Sequence, residues 1–125
     1  MNLVDSSAWL EYFAAGPNAS FFAPAIENNR ELVVPTIVIL EIYKRILQQR
    51  NARAALEAVA IVQQGRVVDL TAGLAIAAAR ISHSEKLPMA DSVILATARA
   101  ENAVIWTQDA DFKNLADVKF RAKKS

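Results

Sequence analysis

An α/β domain built on a parallel sheet is the fold class this sequence predicts, on three observations. Short apolar runs recur at Leu3-Val4, Leu32 to Val34, Val67 to Leu70 and Val104 to Thr107. Between them lie stretches with helical periodicity, and strands alternating with helices imply a parallel sheet with right-handed crossovers. The first run ends in Asp5-Ser6-Ser7 and passes directly into Ala8-Trp9-Leu10-Glu11-Tyr12-Phe13. That is a buried strand handing over to a helix capped by Ser6 or Ser7. A strand opening a βα chain usually lies mid-sheet, with its carboxyl end facing a crevice where ligands bind.

Taken in order, helix is expected from Ala8 to Ala15, closed by Gly16-Pro17, and again from Asn18 to Asn29. Pro35 ends the strand beginning at Leu32, and Thr36 is placed to cap a helix running to about Gln49. That helix is apolar almost all round, its polar stripe being Glu41, Lys44, Arg45 and Gln48, so burial on more than one side is expected. An Ala-rich helix from Ala52 to Gln64 follows. The strand Val67 to Leu70 leads to Thr71, a cap for a helix from Ala72 to about His83. Lys86-Leu87-Pro88 breaks the chain before a helix from Asp91 to Glu101 and the strand Val104 to Thr107. Asp109 to Leu115 reads as a short helix or turn, Val118 to Phe120 as an edge strand, and residues 121–125 as a mobile basic tail.

Composition narrows the chemistry. The 125 residues suffice for one domain with a core but not for two. The 54% hydrophobic content is high enough that part of it is expected to meet a partner. No apolar run is long enough to span a bilayer, and no basic segment leads into an apolar one at the start, so the cytoplasm is the expected location. Cys is absent and His83 is the only histidine. Thiol chemistry and multi-His zinc sites are thereby excluded, whereas Mg²⁺ or Mn²⁺ on carboxylates is not.

The topology brings four acids to one rim. Asp5 follows the first strand and Asp109 the last central one, so both lie at the carboxyl edge. Asp91 opens a helix that runs back to that strand's start, and Glu41 is in the early turns of the helix after the second strand. At about 4 Å, with an effective dielectric near ~20, each pair of charges repels by on the order of 4 kcal/mol. Protons or a cation must neutralise such a cluster, and a divalent ion there would activate water against a phosphodiester. Each acid also has an ordinary structural reading. Asp5 and Asp91 suit helix starts, Glu41 suits pairing with Lys44 or Arg45, and Asp109 and Asp111 suit turns. Asp69 is assigned to capping. A helical turn beginning near Asp109 would rotate Asp111 by about 200° to the other side, so Asp109 is the expected ligand and Asp111 a capping or outer residue.

The sequence resembles the PIN domain, and within it the small VapC-type ribonuclease toxins of toxin–antitoxin pairs. Four pieces carry the likeness: Val4-Asp5-Ser6-Ser7; Val34-Pro35-Thr36 through Glu41; Leu87-Pro88-Met89-Ala90-Asp91-Ser92 with Ile94 to Ala98; and Val104-Ile105-Trp106-Thr107-Gln108-Asp109-Ala110-Asp111-Phe112. The resemblance implies one PIN-like domain over residues 1–125, a three-layer α/β/α sandwich around a central parallel sheet. It implies Mg²⁺ or Mn²⁺ at an acidic quartet of Asp5, Glu41, Asp91 and Asp109, with Asp5, Asp91 and Asp109 as metal ligands. Ser7 and Thr107 fall where the family keeps a hydroxyl that orients acids or waters, and Asp111 is a further supporting residue. The activity implied is metal-dependent endonucleolytic cleavage of RNA, in a homodimer silenced by a small antitoxin. Lys44-Arg45 departs from the apolar or small residues the family often has after Glu41, and both are candidate RNA contacts. Two other readings compete: a PIN-like nuclease of RNA processing without an antitoxin, and an inactive PIN-like module that binds a partner. Against the second, a pure binding module has no need of the quartet's repulsion.

Overall fold

The computed structural model describes residues 1–124. Five strands form one fully parallel sheet: β1 (Asn2–Val4), β2 (Leu32–Pro35), β3 (Arg66–Val68), β4 (Val104–Thr107) and β5 (Val118–Phe120), in the order β3-β2-β1-β4-β5. β1 is central, pairing Leu3 with Val33 on one side and Ile105 on the other. It has no exposed side to cover with polar groups: Leu3, Val4, Val33, Val34 and Ile105 are all buried.

Six helices flank the sheet: α1 (Ser6–Phe13), α2 (Ala19–Ile26), α3 (Thr36–Gln49), α4 (Ala52–Val62), α5 (Ala72–Glu85) and α6 (Met89–Ala100). The chain moves from β1 through β2 to β3, then crosses back to β4 and β5. Right-handed crossovers therefore put α1 to α4 on one face and α5 with α6 on the other. Packing agrees, with α1 against α2 and α3, α3 against α4, and α5 against α6. The result is the expected three-layer α/β/α architecture. Among the described residues no helix is long and apolar enough to cross a membrane.

Several local expectations are corrected. Asp5 itself, not Ser6 or Ser7, caps α1: its backbone is extended and its Oδ1 accepts from the Ala8 N–H at 3.1 Å. Pro35 occupies the N-cap of α3 without a side-chain bond, so Thr36 is its first helical residue rather than its cap. Asp69 caps nothing, because Thr71 takes that role for α5 through the Leu74 N–H. The helix α3 leaves apolar residues uncovered, in keeping with the surplus expected to meet a partner. Val38, Ile42 and Ile46 are buried, but Leu40 is 57% exposed and Leu47 44%. The basic segment after β5 is anchored where it starts, since the Arg121 N–H donates to the Thr107 carbonyl at 3.0 Å. Of the stretch read as a mobile tail, Ser125 lies outside the described residues.

Candidate metal centre

Strand order reverses between β1 and β4, so the crevice at their carboxyl ends is the sheet's switch point. Asp5 leaves β1 on one side of it, and Thr107-Gln108-Asp109 leave β4 on the other. The Asp5 carboxylate is 2% exposed and held by three donors. Ser7 Oγ reaches Oδ1 at 2.7 Å beside the Ala8 N–H, and Thr107 Oγ1 reaches Oδ2 at 2.8 Å. Thr107 also accepts from the Asp109 N–H at 2.8 Å, and Ser7 Oγ from the Gln108 N–H at 3.3 Å. The two hydroxyls thus stitch the ends of β1 and β4 together around one acid.

Asp91, in the first turn of α6, is half-buried. It offers a carboxylate oxygen within 4.8 Å of oxygens from Asp109 and Asp111. The structure therefore corrects the expectation that Asp111 turns away. Asp109 is not helical; it is the extended N-cap of a short 3-10 turn, Ala110–Phe112, and its Oδ1 accepts from the Asp111 N–H at 2.9 Å. That bond folds the Asp109 carboxylate back over the start of the turn, where both acids face Asp91. Asp5 is outside this triplet. Glu41, also half-buried, is bound through Oε1 by Ser6 Oγ at 3.0 Å, across 35 residues of sequence. Sequence reading treated Ser6 only as a cap, and no local signal links it to Glu41.

The electrostatics bear the mark of crowding. Burial pushes the Asp5 carboxyl up to about 6, against the lowering effect of its Ser7, Thr107 and Ala8 hydrogen bonds, with the Asp109 charge adding to the rise. Asp91 is pushed up to about 8 by burial, by the adjoining Asp111 carboxyl, and by the charges of Asp109, Asp111 and Asp5. Glu41 is also raised, by burial and then by Asp109, with the Ser6 bond opposing. Among the described residues no Lys, Arg or His forms an ion pair with any of these five acids. Lys44 and Arg45 are exposed and line the grooves around Glu41.

The donor set fits a hard divalent cation. All ligand atoms are oxygen and the charges are uncompensated, as a hard divalent cation requires; in an octahedral shell at ~2.1 Å neighbouring oxygens stand about 3.0 Å apart and opposite ones about 4.2 Å. The oxygens of Asp91, Asp109 and Asp111 lie within 4.8 Å of one another, near enough to gather around one such ion.

Acids collected at the switch point of a small parallel sheet define a class of α/β domain with an anionic centre at its carboxyl edge. The sequence matches the PIN domain over residues 3–118, and the chain belongs to the PIN domain family. No curated protein matches it. Solved structures share its fold across nearly their whole length. A toxin–antitoxin complex from Klebsiella pneumoniae aligns with TM-score 0.79 at 17% identity, covering 95% of this chain and 96% of that one. VapC20 of Mycobacterium tuberculosis, a toxin described as cleaving the sarcin-ricin loop, aligns with TM-score 0.77 at 22% identity, covering 94% and 97%. FitAcB from Neisseria gonorrhoeae aligns with TM-score 0.74 at 20% identity, covering 96% of each.

Proposed function

We propose that this protein is a Mg²⁺- or Mn²⁺-dependent endoribonuclease and the toxin of a toxin–antitoxin pair. The observation that carries the reading is the set of uncompensated carboxylates at the switch point of a PIN domain. Asp5, Asp91 and Asp109 are assigned as metal ligands, with Asp111 beside them and Glu41 completing the acidic group. A cation held there would lower the pKa of a coordinated water and neutralise charge on a phosphodiester. The chain's own residues do the positioning. Thr107 and Ser7 fix the Asp5 carboxylate in one orientation at the end of β1. Ser6 holds Glu41 at the edge of the same rim, where a carboxyl raised by burial is placed to exchange a proton with an attacking water or a leaving oxygen. Lys44 and Arg45, next to Glu41, are placed to meet RNA phosphates.

An antitoxin and a second copy of this chain are the proposed partners. Besides Leu40 and Leu47 on α3, Leu56 and Ile61 on α4 are exposed, at 60% and 43%. A mostly apolar groove of about 300 Å³ between α1, α3 and α4, lined by Phe13, Ile46 and Ile61 among others, is suited to an apolar peptide segment.

The test is cleavage of a structured RNA by purified protein. Activity should require Mg²⁺ or Mn²⁺, stop in excess chelator, and vanish in Asp5→Asn, Asp91→Asn and Asp109→Asn while each variant stays folded. Cleavage that survives both chelator and these substitutions refutes the assignment.

A further inference from the structure

A cleft of about 360 Å³ opens beside the acids, lined among others by Ser7, Glu11, Arg45, Gln108, Asp109 and Lys123. Its acidic edge is the metal centre. Its cations come from distant parts of the chain: Arg45 from the last turns of α3, Lys123 from the segment beyond β5. Arg45 also lines a groove of about 520 Å³ with Glu41 and Lys44. A continuous cationic margin therefore runs along one side of the rim.

Lys123 is held in place by a buried polar clamp. Asn18, 1% exposed, donates from Nδ2 to the Ala122 carbonyl at 2.9 Å and to Gln108 Oε1 at 3.0 Å. Its own N–H donates to Glu11 Oε2 at 2.7 Å. Glu11 is buried too, in a niche beside Gly16 where any Cβ would collide with its carboxylate. Burying an acid and an amide is costly unless they are hydrogen-bonded, and these three bonds share Asn18, one of them reaching Gln108 between Thr107 and Asp109. The clamp thus fastens the last segment to the same turn that carries the acids. Two neighbouring cations are engaged elsewhere. Lys119 Nζ stands 4.6 Å from the Trp106 ring centroid, and the Arg121 guanidinium 4.3 Å from that of Phe21. Lys123 and Arg45 are exposed and, among the described residues, without an ionic partner.

Resting on the ribonuclease reading, we propose that Lys123 and Arg45 form a subsite for the backbone phosphate of a nucleotide adjoining the one at the acids, with Asn18 as the positioning residue. An anionic rim repels a polyanion, so flanking phosphates need their own cations. The cleft supplies two of them, both in its lining.

The experiment measures KM and kcat of the Mn²⁺-loaded protein on a short single-stranded RNA between about 50 and 200 mM salt. Lys123→Ala should raise KM by about fivefold at the low end, the equivalent of one surface phosphate contact near 1 kcal/mol, with kcat within about twofold. The slope of log KM against log salt should fall by about 0.7, one single-strand phosphate contact. Lys123→Arg should restore both, and Lys123→Ala with Arg45→Ala should lower the slope by about 1.4, twice that. Because Lys123 is exposed, its loss does not threaten folding. Unchanged KM and slope in Lys123→Ala, with an active wild type, overturn the subsite and leave the nuclease standing. So does a loss confined to kcat, which would put Lys123 on the reacting atoms. A wild type inert with every divalent ion on both this RNA and a structured one removes the nuclease and the subsite together.

Discussion

Replacing Thr107 by Val tests whether one buried hydroxyl holds the metal centre together. The side chain is fully buried and Val keeps its shape, so packing is nearly unchanged. What goes is a 2.8 Å bond to Asp5 Oδ2 and a 2.8 Å bond from the Asp109 N–H. A hydrogen bond to a charged acceptor contributes about 1.5–3 kcal/mol, and an N–H left unpaired away from water costs about 1–3 kcal/mol. Val fits the site without strain and gains some apolar burial, so a net loss of about 3 kcal/mol is expected, a large share of a typical 5–15 kcal/mol.

The loss should also depend on pH, and its sign follows from the Asp5 carboxyl. That group is raised from 3.8 to about 6, so the folded state holds its proton longer than the unfolded one. Its contribution to stability is full below the unfolded pKa and declines as pH rises through the folded one. The Thr107 bond limits the rise; without it Asp5 titrates higher still, and the variant keeps losing stability after the wild type has levelled off. The gap between the two should widen above about pH 6, by roughly 1.4 kcal/mol per unit of extra shift. Urea denaturation in chelator at about pH 5 and about pH 8 reads both quantities. A destabilisation under about 1 kcal/mol, or one equal at the two pH values, refutes the claim that Thr107 bonds the ionised Asp5.

Three further outcomes are expected. In calorimetric titrations with Mn²⁺, both Asp109→Asn and Asp111→Asn should bind more weakly, and the Asp91 carboxyl should titrate lower in Asp111→Asn because a neighbour that raises it has been neutralised; wild-type affinity in Asp111→Asn would return that residue to a turn-forming role. Mn²⁺ affinity should climb with pH up to about 8 and then level, with proton release on binding at about pH 6.5 that fades by about pH 9, since the ion must displace the protons on Asp5 and Asp91; a flat profile would mean the acids are already ionised. Expression alone should arrest growth of the host, and Asp91→Asn should relieve the arrest; equal toxicity of the two would detach toxicity from the acidic centre.

Much of this architecture is written locally. The runs at Leu32, Val104 and Val118 have no amphipathic alternative, and β4 and β5 begin and end where their apolar residues do. The gathering of Asp5, Glu41, Asp91 and Asp109 follows from connectivity, because each sits where an element meets the carboxyl edge. The contacts that refine the site do not have that property. Ser6 meets Glu41 over 35 residues, Asn18 meets Gln108 over 90, and Thr107 meets Asp5 over 102. Such pairs are set by how elements pack, and a hydroxyl or amide in one sequence carries no sign of its distant partner. Asp111 was misjudged for a different reason. Counting rotation from Asp109 treats it as helical, whereas an Asp that caps a turn stands outside it and aims its carboxylate along the turn's own N–H groups.

The two raised acids explain how a fold can keep such a centre when no cation is present. Asp5 is buried and held by three donors, and burial is the largest cause of its rise. Asp91 sits at the open end with Asp109 and Asp111 and takes up a proton most readily. Near neutral pH a proton on Asp91 offsets the repulsion among the acids, doing for the empty site what a divalent ion does for the filled one. Metal binding is then an exchange of a proton for a cation, which costs the fold little because the charge it removes was already being neutralised. A Lys or Arg paired with the triplet would have stabilised the empty form more strongly, but it would have occupied the place the cation needs. Among the described residues, cations are kept to the margin instead, at Lys44, Arg45 and Lys123, where they face the groove a polyanion would follow.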